Sequence, residues 1–184
     1  MKINQNTVLR GTKATLVPYT SAHVPRYHEW MQSEELQRLT ASEPLSLEQE
    51  YEMQRSWRDD ADSEDLKCFL RVGGSVSGMA DLSHVTECSL LWLSFSEPNY
   101  RGRGFGKEAT LMMMSYGVTK LGITKFEAKI GQENEASICM FKKLHFKEVA
   151  VNSVFQEVTL RLDVSDQERR WLLEQTNHVE EKSY

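Results

Sequence analysis

The stretch from Ser89 to Leu121 constrains the fold most, because a strand pattern gives way to a helix pattern across a turn rich in glycine. Ser89 to Phe95 is strongly apolar and predicts a strand. Pro98 closes that strand, because proline lacks an amide donor for strand pairing. The turn Arg101-Gly102-Arg103-Gly104-Phe105-Gly106 follows, and apolar residues then recur at helical spacing from Lys107 to Leu121. The sequence therefore predicts a strand, a tight turn and a long helix in succession.

The glycine turn has the properties of a site for phosphate groups. Glycine admits positive φ angles and the close approach of a ligand. The first amide groups of the following helix have no internal partner, and the helix dipole adds positive charge there. Arg101, Arg103 and Lys107 add three cationic side chains. The turn therefore favours a pyrophosphate, although a merely flexible turn has the same composition. It lacks the Gly-Lys-Ser/Thr ending of a Walker loop and the spacing of a dinucleotide fingerprint.

The remainder of the chain alternates helices and strands, which indicates a mixed α/β domain. We expect residues 1–184 to form a single domain, with 163–184 as a C-terminal helix and tail. Helix starts are predicted near Ser21, Ser33, Ser46 and Ser165, where hydroxyl side chains can cap a first turn. The other predicted elements are the strands Ala14 to Val17, Cys68 to Val72, Val76 to Val85, Lys125 to Ile130, Val149 to Val151 and Val154 to Leu162, and the helix Asn134 to Leu144.

Composition narrows the function classes. The chain has 184 residues and a formal net charge of −5, whereas nucleic-acid binders usually carry a basic face. The 3 cysteines lack the paired spacing of a zinc site. The sequence has no basic-then-apolar leader and no apolar run long enough to span a bilayer. We therefore expect a soluble, cytoplasmic protein with no nucleic-acid partner, no membrane partner and no metal.

A second motif lies one strand beyond the long helix: Asn134, Ser137 and Phe141, followed by Phe146. Together with Arg101, Gly104 and Gly106 of the turn, this pattern resembles the GNAT superfamily of N-acetyltransferases. Two motifs in this order, separated by a helix and a strand, are more specific than either motif alone. The resemblance implies the GNAT fold, an α/β domain with a mixed, mostly antiparallel central sheet, a splayed parallel pair of strands and flanking helices.

The same resemblance implies acetyl-CoA as the acetyl donor. Its thioester would lie between the splayed strands Ser89 to Ser96 and Lys125 to Ile130. A backbone N–H near Phe95 or Ser96 would polarise the thioester carbonyl, as an oxyanion hole does. The residues that we expect to bind the cofactor are Phe95, Ser96, Arg101, Gly102, Arg103, Gly104, Phe105, Gly106, Lys107, Asn134, Ser137 and Phe141.

The resemblance also implies direct attack by an amine, which needs a base and an acid. Glu97, at the mouth of the splayed strands, is the first candidate base, with a solvated loop residue as the alternative. Glu127 is the second candidate, although its place in a strand is equally consistent with a structural role. Phe141 stands where many members carry a tyrosine, so Ser137 or water would protonate the leaving thiolate. His145 replaces a glycine that is common at this helix end, which predicts a left-handed or simply exposed residue.

Longer stretches resemble particular branches of the superfamily. The opening from Leu9 to Met31 is similar to enzymes that acetylate the N-termini of ribosomal proteins, and residues 34–43, 124–131 and 171–176 are similar to a branch linked to tubulin. The implied acceptor is a protein amine, with tubulin as one possibility and the N-terminus of another protein as the alternative. Two further interpretations stay open. One is an acetyl-CoA-binding protein without efficient chemistry that acts as a microtubule-binding or protein-binding module. The other is a nucleotide-binding domain.

Overall fold

The computed structural model describes residues 6–39, 43–59, 66–72, 75–82, 88–89, 93–95 and 102–184. The strands are β1 (Thr7–Arg10), β2 (Thr15–Pro18), β3 (Leu66–Val72), β4 (Ser75–Leu82), β5 (Cys88–Ser89), β6 (Leu93–Phe95), β7 (Lys125–Gly131), β8 (Lys147–Asn152), β9 (Glu157–Asp163) and β10 (Glu180–Ser183). The helices are α1 (Val24–Met31), α2 (Glu34–Leu39), α3 (Leu47–Asp59), α4 (Phe105–Tyr116), α5 (Glu135–Lys143) and α6 (Asp166–Gln175).

The strands form two sheets that part near the centre of the molecule. Six strands follow the order β10-β1-β2-β3-β4-β6, and every pairing among them is antiparallel. Four strands follow the order β5-β7-β9-β8, in which β5 and β7 run parallel. The helices flank these sheets, so the predicted fold class is confirmed.

The predicted strand Ser89 to Phe95 is divided between the two sheets. Cys88 and Ser89 pair in parallel with Phe126 and Glu127 of β7. Leu93 to Phe95 instead pairs with β4 of the other sheet. The chain therefore changes sheets between β5 and β6, which produces the splayed pair that the fold class requires.

Helix α4 lies in the main hydrophobic core. Met112, Met113 and Met114 are at most 1% exposed, so these side chains pack in the core. Burial of side chains of this size contributes roughly 1.5–3 kcal/mol each. A second, smaller core forms around β2 and α1, and its buried apolar members are Val17, Tyr19, Val24, Trp30 and Leu36.

The helix start predicted at Ser21 is wrong by one residue. Ser21–His23 form a 3-10 turn that begins after Thr20. The N–H of Thr20 donates to Nδ1 of His23 at 3.1 Å, so Thr20 and His23 form a capping box at this helix start. The starts predicted at Ser33, Ser46 and Ser165 are confirmed, since each hydroxyl accepts from a backbone N–H in the first turn.

Two differences concern strands in the C-terminal half. Val154 was predicted to start a strand but lies in a turn, where the N–H groups of Val154 and Phe155 donate to Oδ1 of Asn152. This side-chain acceptor ends β8, and β9 begins only at Glu157. Strand β10 was not predicted, and it pairs antiparallel with β1 at the edge of the larger sheet. None of the helices in the described part of the chain is long and apolar enough to cross a membrane.

Candidate active site

The glycine turn adopts the backbone that its sequence predicts. Gly102 and Gly104 have φ angles of 73° and 83°, a left-handed region that side chains disfavour. Gly104 is the N-cap of α4, and its carbonyl accepts the first intrahelical bond from the N–H of Glu108 at 3.1 Å. The amide groups at 105–107 precede that bond and therefore point out of the N-terminal end of the helix.

The turn has one buried side chain, Phe105, and two exposed cationic side chains, Arg103 and Lys107. Phe105 is 7% exposed and belongs to the main core. The guanidinium of Arg103 lies 5.3 Å from the centre of the Phe105 ring, and the side chain is exposed. Lys107 is also exposed, whereas Gly106 is buried. The structure thus brings together the predicted residues from Gly102 to Lys107, while Arg101 lies outside the described residues.

Glu108 is a residue of this region that the sequence interpretation missed. Its carboxylate accepts hydrogen bonds from the backbone N–H groups of Thr12, Lys13 and Ala14 at 3.0, 2.8 and 2.8 Å. The turn between β1 and β2 is thereby fixed against the start of α4. The local sequence signals only an acidic residue in a first helical turn, which the helix dipole favours anyway.

Gly11 makes that contact possible. A Cβ atom at this position would lie 2.9 Å from Cδ of Glu108 and 2.9 Å from Sδ of Met112. The absence of a side chain therefore lets the turn between β1 and β2 approach α4 closely. From the same turn, Nζ of Lys13 donates to the carbonyl of Arg103 at 3.2 Å.

A shallow cleft of about 200 Å³ lies beside the start of α4. Its lining includes Lys13, Gly104, Lys107 and Glu108, together with Gln175 at the end of α6 and Thr176, His178 and Val179 from the segment after it. Nε2 of His178 lies 3.4 Å from Oε1 of Glu108. The C-terminal segment therefore shares the carboxylate that holds the turn between β1 and β2.

The second motif forms the two ends of α5. At the N-terminal end, Oδ1 of Asn134 accepts from the N–H of Ser137 at 3.2 Å, the bond expected of an asparagine cap. At the other end, His145 has a φ of 70°. The N–H of Phe146 donates to the carbonyl of Phe141 at 3.1 Å, and the two rings meet edge to face at 5.0 Å. This pattern is a Schellman cap with its hydrophobic contact.

Phe141 therefore has a packing role in this structure. Its side chain is 4% exposed and belongs to the main core. A phenyl ring has no proton to donate, so it cannot act as the leaving-group acid. Its expected contact with the cofactor, like those of Asn134 and Ser137, stays a prediction.

Of the two candidate bases, Glu97 lies outside the described residues and Glu127 is described. Ser96 also lies outside them, and Phe95 ends β6 opposite Gly78. Oε1 of Glu127 accepts from Nε of Arg161 at 2.7 Å across the β7–β9 pair. The contact favours the structural alternative for Glu127.

Buried polar residues also gather between α1, α3 and β2. Glu50 is 1% exposed, and its Oε1 lies 3.2 Å from Nδ1 of His28. Burial raises the pKa of Glu50, and the contact with His28 opposes that effect in part. Gln54 donates from Nε2 to the carbonyl of Tyr19 at 3.4 Å. Among the described residues, Oε2 of Glu50 and Oε1 of Gln54 have no hydrogen-bond partner.

Comparison with known proteins identifies the class to which this fold and turn belong. The family model described as acetyltransferase (GNAT) domain matches residues 13–147. The chain therefore belongs to the GNAT family of N-acetyltransferases. It is 58% identical over its full length to the human alpha/beta-tubulin-N-acetyltransferase 9, of which it covers 96%. The Drosophila melanogaster protein of the same name is 38% identical over 96% of each chain.

Solved structures show the same fold at low identity. Mycobacterium smegmatis RimJ in complex with CoA-disulfide superposes with a TM-score of 0.75 over 96% of this chain and 97% of its own, at 14% identity. Vibrio cholerae spermidine N-acetyltransferase in complex with CoA and spermine has a TM-score of 0.71 over 83% of this chain and 96% of its own, also at 14% identity. At these identities the likeness establishes the fold.

Proposed function

We propose that this N-acetyltransferase binds acetyl-CoA at the Arg101–Lys107 turn and transfers the acetyl group to an amine of a protein. The observation that carries the proposal is the pair of left-handed glycines, Gly102 and Gly104, at the N-terminal end of α4. These glycines leave the helix end open to a pyrophosphate. Strand β5 pairs with β7 whereas β6 pairs with β4, and the gap where β6 parts from β7 is where we expect the acetyl thioester.

In the proposed reaction the acceptor amine attacks the thioester directly. The new C–N bond forms as the C–S bond breaks, and CoA leaves as a thiolate. A backbone N–H near Phe95 or Ser96 stabilises the oxyanion. Glu97 takes the proton that the amine loses, and Ser137 or water returns a proton to the thiolate.

Tubulin is the acceptor that we propose first. The support is the 58% identity to a human relative whose name specifies alpha- and beta-tubulin. The alternative acceptor is the N-terminal amine of another protein. A tubulin acceptor would require this protein to be present in the cytoplasm.

Isothermal titration calorimetry with acetyl-CoA tests the cofactor site through Gly104→Glu. The new side chain is strained at a φ of 83° and sets a carboxylate against the bound phosphates. Gly122→Glu is a matched control, because Gly122 also has a positive φ of 70°, has open space around it, and caps the π-helical segment Gly117–Leu121 that follows α4. We expect Gly104→Glu to weaken binding by more than about tenfold and the control to bind normally. Equal affinities for the two variants would remove the site assignment.

Mass spectrometry of acceptors incubated with acetyl-CoA tests the transfer. We expect new acetyl groups on tubulin, and none when Gly104→Glu replaces the native chain. Acetylation of unrelated N-terminal peptides at an equal or higher rate would favour the alternative acceptor. The absence of any acetylated product would contradict the proposal.

A second candidate function is an acetyl-CoA-binding module that contacts microtubules and turns over poorly. This candidate is favoured by Phe141, which is buried in the core and has no hydroxyl group to protonate the leaving thiolate. This candidate predicts protection against heat by acetyl-CoA together with no turnover. It also predicts that Gly104→Glu co-sediments with microtubules as the native chain does.

A further inference from the structure

Lys13 lies next to the glycine turn although 90 residues separate it from Arg103 in the sequence. Its Nζ donates to the carbonyl of Arg103 at 3.2 Å. The same atom is 3.0 Å from the position that a Cβ on Gly104 would occupy. The side chain is otherwise exposed, and it lines the cleft beside the helix end. An ammonium group therefore stands at the mouth of the α4 N-terminus.

The backbone of Lys13 is held in place. Its N–H donates to Oε2 of Glu108 at 2.8 Å, and the N–H groups on either side donate to the same carboxylate. Because α4 itself supplies Glu108, the turn between β1 and β2 cannot move independently of the helix end. A lysine whose backbone is fixed in this way loses less backbone conformational entropy when it meets a ligand.

We propose that Lys13 is a further binding residue of the acetyl-CoA site and donates to the pyrophosphate; this inference rests on the proposed function. A lysine ammonium has three donors. The carbonyl of Arg103 takes one of them, which leaves two for phosphate oxygens. Gly104 is the N-cap of α4, so Nζ, 3.0 Å from the Cβ position of that residue, lies beside the helix end that favours an anion.

The neighbouring charges are compatible with an anion. Arg103 and Lys107 are exposed cations on the same turn. The carboxylate of Glu108 is directed into the protein, where it accepts the three backbone N–H groups and faces His178. CoA also carries a 3′-phosphate, which has similar chemistry. The position of Nζ at the helix end favours the pyrophosphate instead.

Calorimetry with acetyl-CoA compares Lys13→Met, Lys13→Arg and the native chain. Lys147→Met is the matched control, because it removes an exposed lysine at the start of β8. We expect Lys13→Met to weaken binding about tenfold, the loss of roughly one charge-assisted hydrogen bond. Lys13→Arg should recover most of the affinity, and the control should bind as the native chain does. Equal affinities of Lys13→Met and the control would overturn the inference.

A second ligand identifies the phosphate. With 3′-dephospho-CoA, Lys13→Met should lose the same factor as with acetyl-CoA, because the pyrophosphate is still present. A loss that disappears with this ligand would assign Lys13 to the 3′-phosphate and contradict the proposal.

Chemical modification separates direct contact from a merely structural role. Reductive methylation of the native chain, read by mass spectrometry, should label Lys13 less when 3′-dephospho-CoA is bound. Pantetheine, which lacks the pyrophosphate, should give no protection. A native chain that fails to bind acetyl-CoA would overturn the proposed function as well. Normal native binding with an unprotected Lys13 would overturn this inference alone.

Discussion

His145 holds a backbone conformation that few side chains adopt, and two contacts explain its presence. Its Nδ1 lies 2.9 Å from Oε2 of Glu168, and its ring centre lies 4.2 Å from that of Trp171. Both partners belong to α6. The residue therefore ends α5 and joins it to the next helix, which a glycine at this position would not do.

Substitutions at His145 should separate the backbone strain from these contacts. His145→Ala keeps a side chain in the left-handed region and loses both contacts, so we expect a loss of about 1–2 kcal/mol. His145→Gly loses the contacts but relieves the strain, and it should be the more stable of the two variants. Urea unfolding of both variants measures which of them has the larger free energy of unfolding. The reverse order would show that strain is unimportant here.

Glu50 should make stability depend on pH. Because burial raises its pKa above the ordinary value of 4.5, the folded protein holds this proton more tightly than the unfolded chain. The contribution of this carboxyl group to the free energy of unfolding is fully present below pH 4.5, and it is lost as the pH rises through the folded pKa. Glu50→Gln stays uncharged throughout. Its stability relative to the native chain should therefore increase with pH.

Thermal unfolding between about pH 4 and pH 7 measures that difference. Glu48→Gln is the control, since Glu48 is exposed on the same helix and its replacement should give a difference that is nearly constant. A relative stability of Glu50→Gln that falls as pH rises would mean that the contact with His28 outweighs burial.

At the scale of elements, the stability of α5 depends on the caps at its two ends. It has 9 residues, fewer than an isolated helix needs to be stable in water. Asn134→Ala should destabilise the protein by about 1 kcal/mol through loss of the cap. Asn177→Ala, at an exposed position after α6, should have little effect in the same urea titration. Equal effects of the two substitutions would show that the Asn134 cap does not stabilise α5.

Local chemistry explains which elements could be predicted from the sequence. Ser33, Ser46 and Ser165 start helices as predicted, because a cap is a contact across three residues. The start after Thr20 was displaced because its partner is a histidine ring, which the usual cap patterns do not include. The strand start at Val154 failed because the apolar pattern gives no indication of the Asn152 turn.

At the scale of the whole molecule, β10 forms one edge of the larger sheet. Its residues pair with all four residues of β1, and Glu181 forms an ion pair with Lys120 at 2.9 Å. Its Glu-Glu-Lys-Ser sequence has no apolar alternation, so only the paired structure reveals the strand. The strand covers the edge of β1 and is itself the edge of the sheet, where its charged residues discourage pairing with other chains.

Removal of residues 180–184 should therefore affect β1 first. We expect faster amide hydrogen exchange at Thr7–Arg10, because their pairing partners are lost. The β7–β9 pair lies in the other sheet and serves as an internal control. Unchanged exchange at β1 would contradict the pairing.

The site divides in the same way between local and distant contacts. The Arg101–Lys107 turn and the ends of α5 are contiguous patterns, so the sequence indicates them. The contacts of Glu108 with residues 12–14 span 94 to 96 positions, and no local pattern encodes them. The contact of Lys13 with Arg103, which spans 90 positions, is not indicated by the sequence for the same reason.

The reach of Glu108 along the chain has a kinetic consequence. Contacts between distant segments form late in folding, because a large loop must close before they are made. The helix end can therefore form early, while the docked turn between β1 and β2 arrives with the last tertiary contacts. In a refolding experiment, recovery of helical circular dichroism should precede recovery of the proposed acetyl-CoA binding, and the delay should lengthen in Glu108→Gln.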